Sequence, residues 1–347
     1  MIDLRSDTVT RPTEAMLDAM RSATFGDDSR DGDATVRRLE AMAAERMGKE
    51  AAVFVPSGTM ANLVAVLAHT HRGGEVVLEE GAHILNSELG GIAAIAGAFY
   101  KGIRGDRGAM NLDLLREVLQ PAGSRAARTQ LVCMETTHNG AGGAVLALAH
   151  MQAVHAMAAE QRVAVHIDGA RVFNAATALA VDASAIARFG DSIGLCISKG
   201  LSAPIGSVLC GRKDFIERAR TFRRMIGGNM RQAGPLAAAG IVALETMVAR
   251  LVEDHSTAKR LAEGLHKLDD GLVSPAAVET NIVRVELPDS GKDAARWSAE
   301  LKDHGVLVSP CAAHALRFVT HRHITETDVD ETLRAFAKVR KARAGGR

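Results

Sequence analysis

The sequence predicts an α/β protein with a large domain built on a doubly wound, mostly parallel sheet, followed by a smaller α+β domain. Up to roughly residue 250, short apolar runs alternate with longer segments of helical period, a pattern typical of parallel strands joined by crossover helices. The connections are short and the runs are apolar throughout, as expected for strands buried on both faces. Beyond this point the pattern changes, so we expect domains at residues 1–250, with an N-terminal arm, and 251–347.

Six apolar runs predict the strands of the large domain, and Pro56 ends the first of them. These strands are expected over residues 51–57, 75–80, 128–135, 163–168, 192–198 and 206–211, with helices over 58–71 and 146–161. A long helical tract over 231–269 leads into the small domain, where strands are predicted over 280–287, 305–310 and 315–321, and a helix from about 325.

The composition excludes several classes of protein. The chain has 347 residues, 47% hydrophobic and 24% charged, with a net charge of +1, one Trp and one Tyr, which argues against nucleic acid as a partner. No apolar stretch reaches the ~18 residues of a membrane span, and no signal peptide is predicted. The four cysteines are widely spaced without a CxxC pair, which favours a reduced, cytoplasmic protein.

The stretch "CISKGLSAPIG" places Lys199 between an apolar run and a loop of small residues. Burying an ammonium group costs several kcal/mol, so a lysine in this position indicates a function. A desolvated lysine amine is a usable nucleophile.

The stretch "AVHIDGARVFNA" ends a predicted strand on Asp168, at the edge of the sheet where ligands of open α/β folds bind. Strand alternation places His166 on the same face, where it could hold the carboxylate, and Arg171 follows three residues later. A purely structural pairing of Asp168 with Arg171 is the alternative.

The stretch "PSGTMAN" predicts a strand, a turn of small residues and then a helix. Ser57, Gly58 and Thr59 would then lie at a helix N-terminus, where free N–H groups and the helix dipole attract an anion. An ordinary N-cap explains the same residues. Neither GxGxxG after a strand nor GxxxxGK[ST] is present, so a dinucleotide fold and a P-loop are not supported.

Together, these three features match the requirements of pyridoxal phosphate. Lys199 would form the imine with the cofactor, Asp168 would keep the pyridine nitrogen protonated, and the helix N-terminus would hold the phosphate.

Further motifs follow one another in order along nearly the whole chain. They are "DLRSDTVTRPT" (3–13), "GDD" (26–28), "PSGTMAN" (56–62), "HIDGARVFNA" (166–175), "SKGLSAPIGSVLCG" (198–211), "MRQAG" (230–234) and "RFVTH" (317–321). In these motifs the chain resembles the L-threonine aldolases of the β-eliminating lyase group, which are fold-type I (aspartate aminotransferase-like) pyridoxal-phosphate enzymes. The resemblance implies an aldolase that cleaves L-threonine, L-allo-threonine or a related L-β-hydroxy-α-amino acid to glycine and an aldehyde.

The resemblance also implies roles for individual residues. Lys199 is similar to the imine-forming lysine, Asp168 to the partner of the pyridine nitrogen, and His83 to the histidine that stacks on the cofactor ring near the substrate hydroxyl. These are the expected catalytic residues. The expected phosphate cup is formed by Ser57, Gly58 and Thr59.

Arginines complete the expected site. Arg231 and Arg224 resemble basic residues that contact the cofactor phosphate of a neighbouring subunit, which implies a homo-oligomer, a dimer or a tetramer, with a shared active site. Ser6, Arg171 and Arg317 resemble the group that binds the substrate carboxylate, since guanidinium groups bind carboxylates bidentately. Arg171 is also expected to contact the cofactor, and no metal ligand is predicted.

The chain departs from the family pattern at a few positions, most of them expected on the substrate side of the pocket. These positions are Ser29, Arg30, Asp31, Ser87, Thr136 and Asn229. The resemblance therefore bears more directly on the cofactor than on the aldehyde side chain.

Two other functions remain open at this point. The same scaffold supports other pyridoxal-phosphate reactions on amino acids, namely β-elimination, racemisation or transamination. A non-catalytic or metal-binding protein is the alternative from a different class, suggested by "HTH" (69–71) and "THRH" (320–323), although neither has the spacing of a zinc site.

Overall fold

The computed structural model describes residues 1–119, 127–287 and 292–341. The remaining positions, some of which belong to the predicted small domain, lie outside the described residues. The strands are β1 Ile2–Asp3, β2 Ala51–Val55, β3 Glu75–Glu79, β4 Phe99–Ile103, β5 Gly105–Asp106, β6 Ala109–Met110, β7 Thr129–Glu135, β8 Ala164–Asp168, β9 Ser192–Cys196, β10 Ser207–Gly211, β11 Ile282–Glu286, β12 Val306–Leu307, β13 Ser309–Ala312 and β14 Ala315–Val319.

Helices connect and cover these strands, and two short 3₁₀ turns lie at Asp7–Val9 and Pro275–Ala277. The α-helices are α1 Glu14–Ser22, α2 Ala34–Met47, α3 Gly58–His69, α4 His83–Asn86, α5 Gly91–Ala94, α6 Leu112–Leu119, α7 Leu148–Glu160, α8 Val172–Leu179, α9 Ala183–Ala187, α10 Lys213–Met225, α11 Gly234–Thr246, α12 Leu251–Leu268, α13 Ala294–Asp303 and α14 Glu326–Lys341.

A seven-stranded sheet forms the centre of the larger part, in the order β2-β10-β9-β8-β7-β3-β4. Only β10 runs against its neighbours in this sheet; the other paired strands are parallel. The carboxyl ends of β2, β3, β7, β8 and β9 therefore meet at one edge, which is where open α/β sheets bind ligands. The predicted α/β class, with a mostly parallel sheet, is confirmed.

Both faces of this sheet are covered, and strand β2 shows how. Its alternate residues Val53 and Val55 pack in a cluster with α3 and α10. Ala52 and Phe54 pack on the other side in a cluster that includes α2, α7 and α11. A strand with helices on both faces buries the side chains of both faces, which is why its sequence is apolar throughout.

A second hydrophobic cluster is built on the antiparallel sheet β11-β14-β13 with α12, α13 and α14. The rings of Trp297 and Phe336 stack in it with their centroids 5.0 Å apart. The N-terminal arm joins this cluster, because β1 pairs in parallel with β12 and Leu4 is fully buried there. The predicted domain boundary near residue 250 remains a prediction.

The structure contains helices that the sequence analysis did not predict, among them α2 and α10, and it also differs in the following respects. The helical tract over 231–269 is two helices, because α11 ends at Thr246 and α12 begins at Leu251. Acidic residues in the first turn of α12 indicate a helix start. The apolar periodicity continues across this point, which is why a single helix was predicted. The segment 305–310 is divided between β12 and β13, and the edge strand β4, which is largely exposed, was not predicted.

Among the described residues, no single helix is long and apolar enough to cross a membrane. Helices α11 and α12 meet the length and hydropathy criteria only as a pair, and this pair is bent by 70°.

We expect Leu4→Ala to lower the free energy of unfolding by about 2–5 kcal/mol, because it leaves a cavity in a packed core. The backbone of Leu4 bridges β12 and β14, donating to the Leu307 carbonyl and accepting from Val319 N–H, both at 2.8 Å. Urea titration followed by far-UV circular dichroism measures the change. Leu89 is 98% exposed, so Leu89→Ala serves as the matched control and should change stability by less than about 0.5 kcal/mol. Equal effects would show that the arm does not pack as described.

Candidate active site

A cavity of about 290 Å³ lies at the carboxyl edge of the central sheet. Strand ends form its floor, while the N-terminal arm and strand β14 contribute to its rim. The sequence-predicted residues that line it are Ser6, Ser57, Gly58, Thr59, His83, Asp168, Arg171, Lys199 and Arg317. Arg224 and Arg231 do not line it.

The N-terminus of α3 forms one wall of the cavity. Ser57 is its N-cap, and the Ser57 hydroxyl accepts a hydrogen bond from the Met60 N–H at 3.2 Å. The capping role that the sequence left open is therefore present, and it leaves the N–H groups of Gly58 and Thr59 for an anion. A Cβ atom on Gly58 would lie 2.8 Å from Cys196 Sγ, so this wall is close-fitting and requires glycine.

Lys199 lies in the bend that follows β9 and is half-buried. Its carbonyl accepts hydrogen bonds from Thr10 Oγ1 and from the Ser202 N–H, both at 2.8 Å. The backbone of this loop is therefore fixed at the lysine. Within the described part of the chain no hydrogen bond occupies the Lys199 amine, which leaves it available to a ligand in the cavity.

Asp168 and His83 are linked through two residues that the sequence analysis did not identify. The Asn62 amide nitrogen donates to Asp168 Oδ2 and to Glu88 Oε1, both at 2.8 Å. Glu88 Oε1 in turn lies 2.9 Å from His83 Nδ1. Burial raises the pKa of Glu88, and the hydrogen bond to Glu88 raises the pKa of His83 above its ordinary value.

His166 does not contact the Asp168 carboxylate directly, as the strand alternation had suggested. Its Nε2 lies 3.1 Å from Asn62 Oδ1 and its Nδ1 lies 2.9 Å from Ser192 Oγ. Burial lowers the pKa of His166 to about 4, so the ring is neutral at physiological pH. The histidine therefore acts on Asp168 only through Asn62.

Glu135, another residue that the sequence analysis missed, connects two loops at the cavity. Its carboxylate accepts from the His83 N–H at 2.6 Å and from the Asn139 N–H at 2.7 Å. The Asn139 side-chain oxygen accepts from Arg317 Nη1 at 2.9 Å. Arg317 Nε is buried and has no hydrogen-bond partner among the described residues, so this guanidinium retains a donor for an anionic ligand.

Arg171 forms a buried ion pair with Asp7 rather than with Asp168, which answers the structural alternative that the sequence left open. Its Nε and Nη2 donate to the two carboxylate oxygens of Asp7, each at 2.7 Å. Burial opposes the charge on Asp7, but the guanidinium outweighs it and holds the pKa of Asp7 well below its ordinary value. Ser6 begins the adjacent 3₁₀ turn, where its hydroxyl accepts from the Thr8 N–H at 3.2 Å.

Arg224 and Arg231 are exposed on the surface. Arg223, which was not predicted, is the buried arginine of this segment. It donates to Asp28 Oδ2 at 2.6 Å and to the Phe54 carbonyl at 2.8 Å. Two motif departures meet here, because Asn229 Nδ2 donates to Ser29 Oγ at 2.5 Å.

The other departures do not line the cavity, although Ser87 and Thr136 are chain neighbours of residues that do. Ser87 is exposed, and the Arg30 side chain is 79% exposed and near Asp27. Thr136 is fully buried and accepts from the Leu146 N–H at 3.3 Å. None of these residues lines the cavity.

These groups fit pyridoxal phosphate. The helix N-terminus offers donors for a phosphate in a cradle that a Cβ would fill, Lys199 offers a free amine, and Asp168 offers a carboxylate. Ligand atoms of His83, Glu88 and Asp168 also lie within 4.8 Å of one another, as in a metal site. However, Asn62 donates to both carboxylates, so their charges are already compensated by hydrogen bonds.

At the carboxyl edge of such a sheet, this combination defines the class of fold-type I, pyridoxal-phosphate-dependent enzymes. The chain matches the beta-eliminating lyase family over residues 3–288. It belongs to that family.

Curated relatives cover nearly the whole chain. A probable low-specificity L-threonine aldolase 2 of Arabidopsis thaliana is 43% identical over 343 residues, which are 97% of each chain. The low specificity L-threonine aldolase of Escherichia coli K12 is 42% identical over 332 residues, covering 95% of this chain and 97% of the relative.

Solved structures share the fold. A putative L-allo-threonine aldolase from Listeria monocytogenes superimposes with a TM-score of 0.81 at 20% identity, covering 97% of this chain and 96% of the other. The threonine aldolase of Leishmania major gives 0.82 at 17% identity, covering 98% and 99%. The resemblance, the fold class, the lyase class and the cofactor predicted from the sequence are confirmed.

We expect Glu88→Gln to lower the pKa of His83, because the neutral amide cannot stabilise the imidazolium as the carboxylate does. Titration of the His83 ring in the apoenzyme by NMR measures the shift, with His83→Asn used to assign the signal. Glu80→Gln is the matched control, since Glu80 is exposed nearby in the chain. An unchanged His83 titration in Glu88→Gln would contradict the described pairing.

Proposed function

We propose that this protein is a pyridoxal-phosphate-dependent aldolase that cleaves L-threonine, L-allo-threonine or related L-β-hydroxy-α-amino acids to glycine and an aldehyde. One observation carries the proposal: the Lys199 amine, the Asp168 carboxylate and the His83 ring line the same cavity, beside an arginine with a free donor. The names of the relatives at 42% and 43% identity support it.

The cofactor would be held at three points of the chain. The N–H groups at the start of α3 would bind its phosphate, Asp168 would hold its ring nitrogen, and Lys199 would bind its carbonyl carbon covalently. When bound, pyridoxal phosphate supplies an electron sink for the pair released by breaking the Cα–Cβ bond.

Arg317 is the proposed anchor of the substrate carboxylate. Asn139 fixes the guanidinium through Nη1 and leaves Nε without a partner among the described residues. A carboxylate bound to an arginine orients the amino acid in a defined plane. Ser6 and Arg171 would assist at the rim, with Arg171 acting mainly through its ion pair with Asp7.

His83 is the proposed base for the β-hydroxyl proton. Because Nδ1 faces the Glu88 carboxylate, this nitrogen carries the proton and Nε2 carries the lone pair of the neutral ring. Nε2 would accept the hydroxyl proton as the aldehyde forms, and Glu88 would stabilise the resulting imidazolium.

We further infer a cytoplasmic homo-oligomer, a dimer or a tetramer, with residues 1–250 and 251–347 as its domains. The exposed positions of Arg224 and Arg231, outside the cavity of their own chain, are consistent with a role at a neighbouring subunit. The described cysteines are free, which is consistent with a reducing compartment.

Purified protein with pyridoxal phosphate is expected to convert L-threonine or L-allo-threonine to glycine and acetaldehyde, and related amino acids to glycine and the matching aldehyde. Lys199→Ala should abolish turnover because no other amine replaces it. Lys213→Ala, an exposed lysine, is the matched control and should retain full activity. Three other sets of products would contradict the aldolase. Ammonia and a keto acid would indicate a β-elimination, a keto acid without ammonia would indicate a transamination, and a D-amino acid would indicate a racemase.

Arg317→Ala should raise KM about 10-fold to 100-fold for every amino-acid substrate, because it removes a charge-assisted interaction with their shared carboxylate. Arg284 lies opposite Arg317 in the strand pair β11–β14 and does not line the cavity. Arg284→Ala is therefore the control and should leave KM near the wild-type value. Steady-state kinetics over several substrates test the assignment, and a KM unchanged in Arg317→Ala would remove Arg317 from the carboxylate site.

A further inference from the structure

Asn62 occupies a central position that the proposed mechanism does not use. The side chain is 3% exposed, and each of its polar atoms has a partner. Its nitrogen donates to Asp168 and Glu88 at 2.8 Å, and its oxygen lies 3.1 Å from His166 Nε2. It lies on α3, one turn beyond the N–H groups of the anion cradle.

The hydrogen bonds of this network have one possible direction. Only an amide nitrogen can face two carboxylates, so the Asn62 oxygen must accept, and His166 Nε2 must carry a proton. His166 Nδ1 is then an acceptor for the Ser192 hydroxyl. That hydroxyl oxygen lies 2.8 Å from His69 Nε2, which must therefore donate to it.

Both histidines of this relay are neutral. Burial lowers the pKa of His166 to about 4 and that of His69 to about 3, with the charges of Arg218 and Arg212 adding repulsion at His69. The relay of His69, Ser192, His166 and Asn62 thus has a fixed set of proton positions. It ends on the two buried carboxylates.

The Asn62 amide nitrogen lies 2.8 Å from an oxygen of each carboxylate, so the two carboxylates are close enough to repel each other. This repulsion adds to the effect of burial in raising the pKa of Glu88. Among the described residues, Asn62 is the side chain that donates to both. Removing a donor from a buried charged acceptor leaves that charge uncompensated.

We propose that Asn62 is a positioning residue that couples two carboxylates: Asp168, which would hold the ring nitrogen of the cofactor, and Glu88, which contacts the proposed base His83. The relay from His69 through Ser192 and His166 fixes the orientation of its amide. This inference rests on the proposed function only where it treats His83 as the base. The hydrogen bonds of Asn62 to the two carboxylates do not depend on which reaction is catalysed.

Asn62→Leu, which removes the polar atoms at similar volume, tests the coupling by two measurements that need no turnover. Affinity for pyridoxal phosphate, measured by fluorescence titration, should fall about tenfold, because Asp168 loses a donor. The pKa of His83 in the apoenzyme should fall, because Glu88 becomes protonated more readily and supports the imidazolium less. The charged groups that face His83 are Glu88, Asp168 and Glu135.

Ser192→Ala breaks the relay two links from the carboxylates and should shift both quantities in the same direction by a smaller amount. Two controls accompany these variants. Asn174→Leu replaces another buried asparagine, whose amide faces His255 rather than a carboxylate. His155→Gln changes a histidine that lines the same surface cavity as His69 but lies outside the relay. Both controls should retain wild-type values.

The coupling is overturned if Asn62→Leu binds the cofactor as the wild type does and His83 titrates unchanged, or if Asn174→Leu reproduces both shifts. If Asn62→Leu does not fold, Ser192→Ala decides: wild-type values in that variant overturn the relay. Failure of the proposed function gives a different result, since a wild-type protein without aldolase activity would still show both shifts on loss of Asn62.

Discussion

The site depends on the buried ion pair between Asp7 and Arg171. Asp7 is fully buried, and its carboxylate also accepts from Asn281 Nδ2 at 3.2 Å. One carboxylate therefore joins the N-terminal arm, the loop after β8 and the start of β11. Removing either partner of such a pair leaves an uncompensated charge in the protein interior. With the pair intact, Ser6 and Thr8 lie at the cavity and Thr10 binds the backbone of Lys199.

The cavity combines carboxylates with donors that retain capacity, and this combination determines what can bind there. The carboxylates of Glu88, Glu135 and Asp168 each accept from N–H donors of the chain. Donors with remaining capacity are found at the start of α3 and on Arg317. A ligand with a protonated ring nitrogen and anionic groups at its periphery meets complementary charge at each point.

The sequence predicts much of this arrangement because the relevant signals are local. A strand that ends in Asp168, a lysine after an apolar run and a Ser-Gly-Thr turn before a helix are each visible within a few residues. Asn62, Glu88 and Glu135 were missed because each also has a partner far away in the chain. Asn62 and Asp168 are 106 residues apart, Asn62 and Glu88 are 26 apart, and Glu135 and His83 are 52 apart. The pairing of Arg171 was missed for the same reason, since Asp7 is 164 residues away. The edge strand β4 was not predicted because it is largely exposed and its sequence lacks the continuous apolar pattern of a buried strand.

The route of the N-terminal arm has a consequence for the order in which the protein can assemble during its synthesis. Residues 2–4 are synthesised long before their partners Val306, Leu307 and Val319. Contacts that close so long a loop form late, because the loss of chain entropy must be compensated by structure already in place. The central sheet can fold while the chain is still growing, whereas the rim that carries Ser6, Thr10 and Arg317 is completed only after β14 has been made. In the nascent chain, Lys199 would thus lie on a folded sheet before the N-terminal arm can pack beside it.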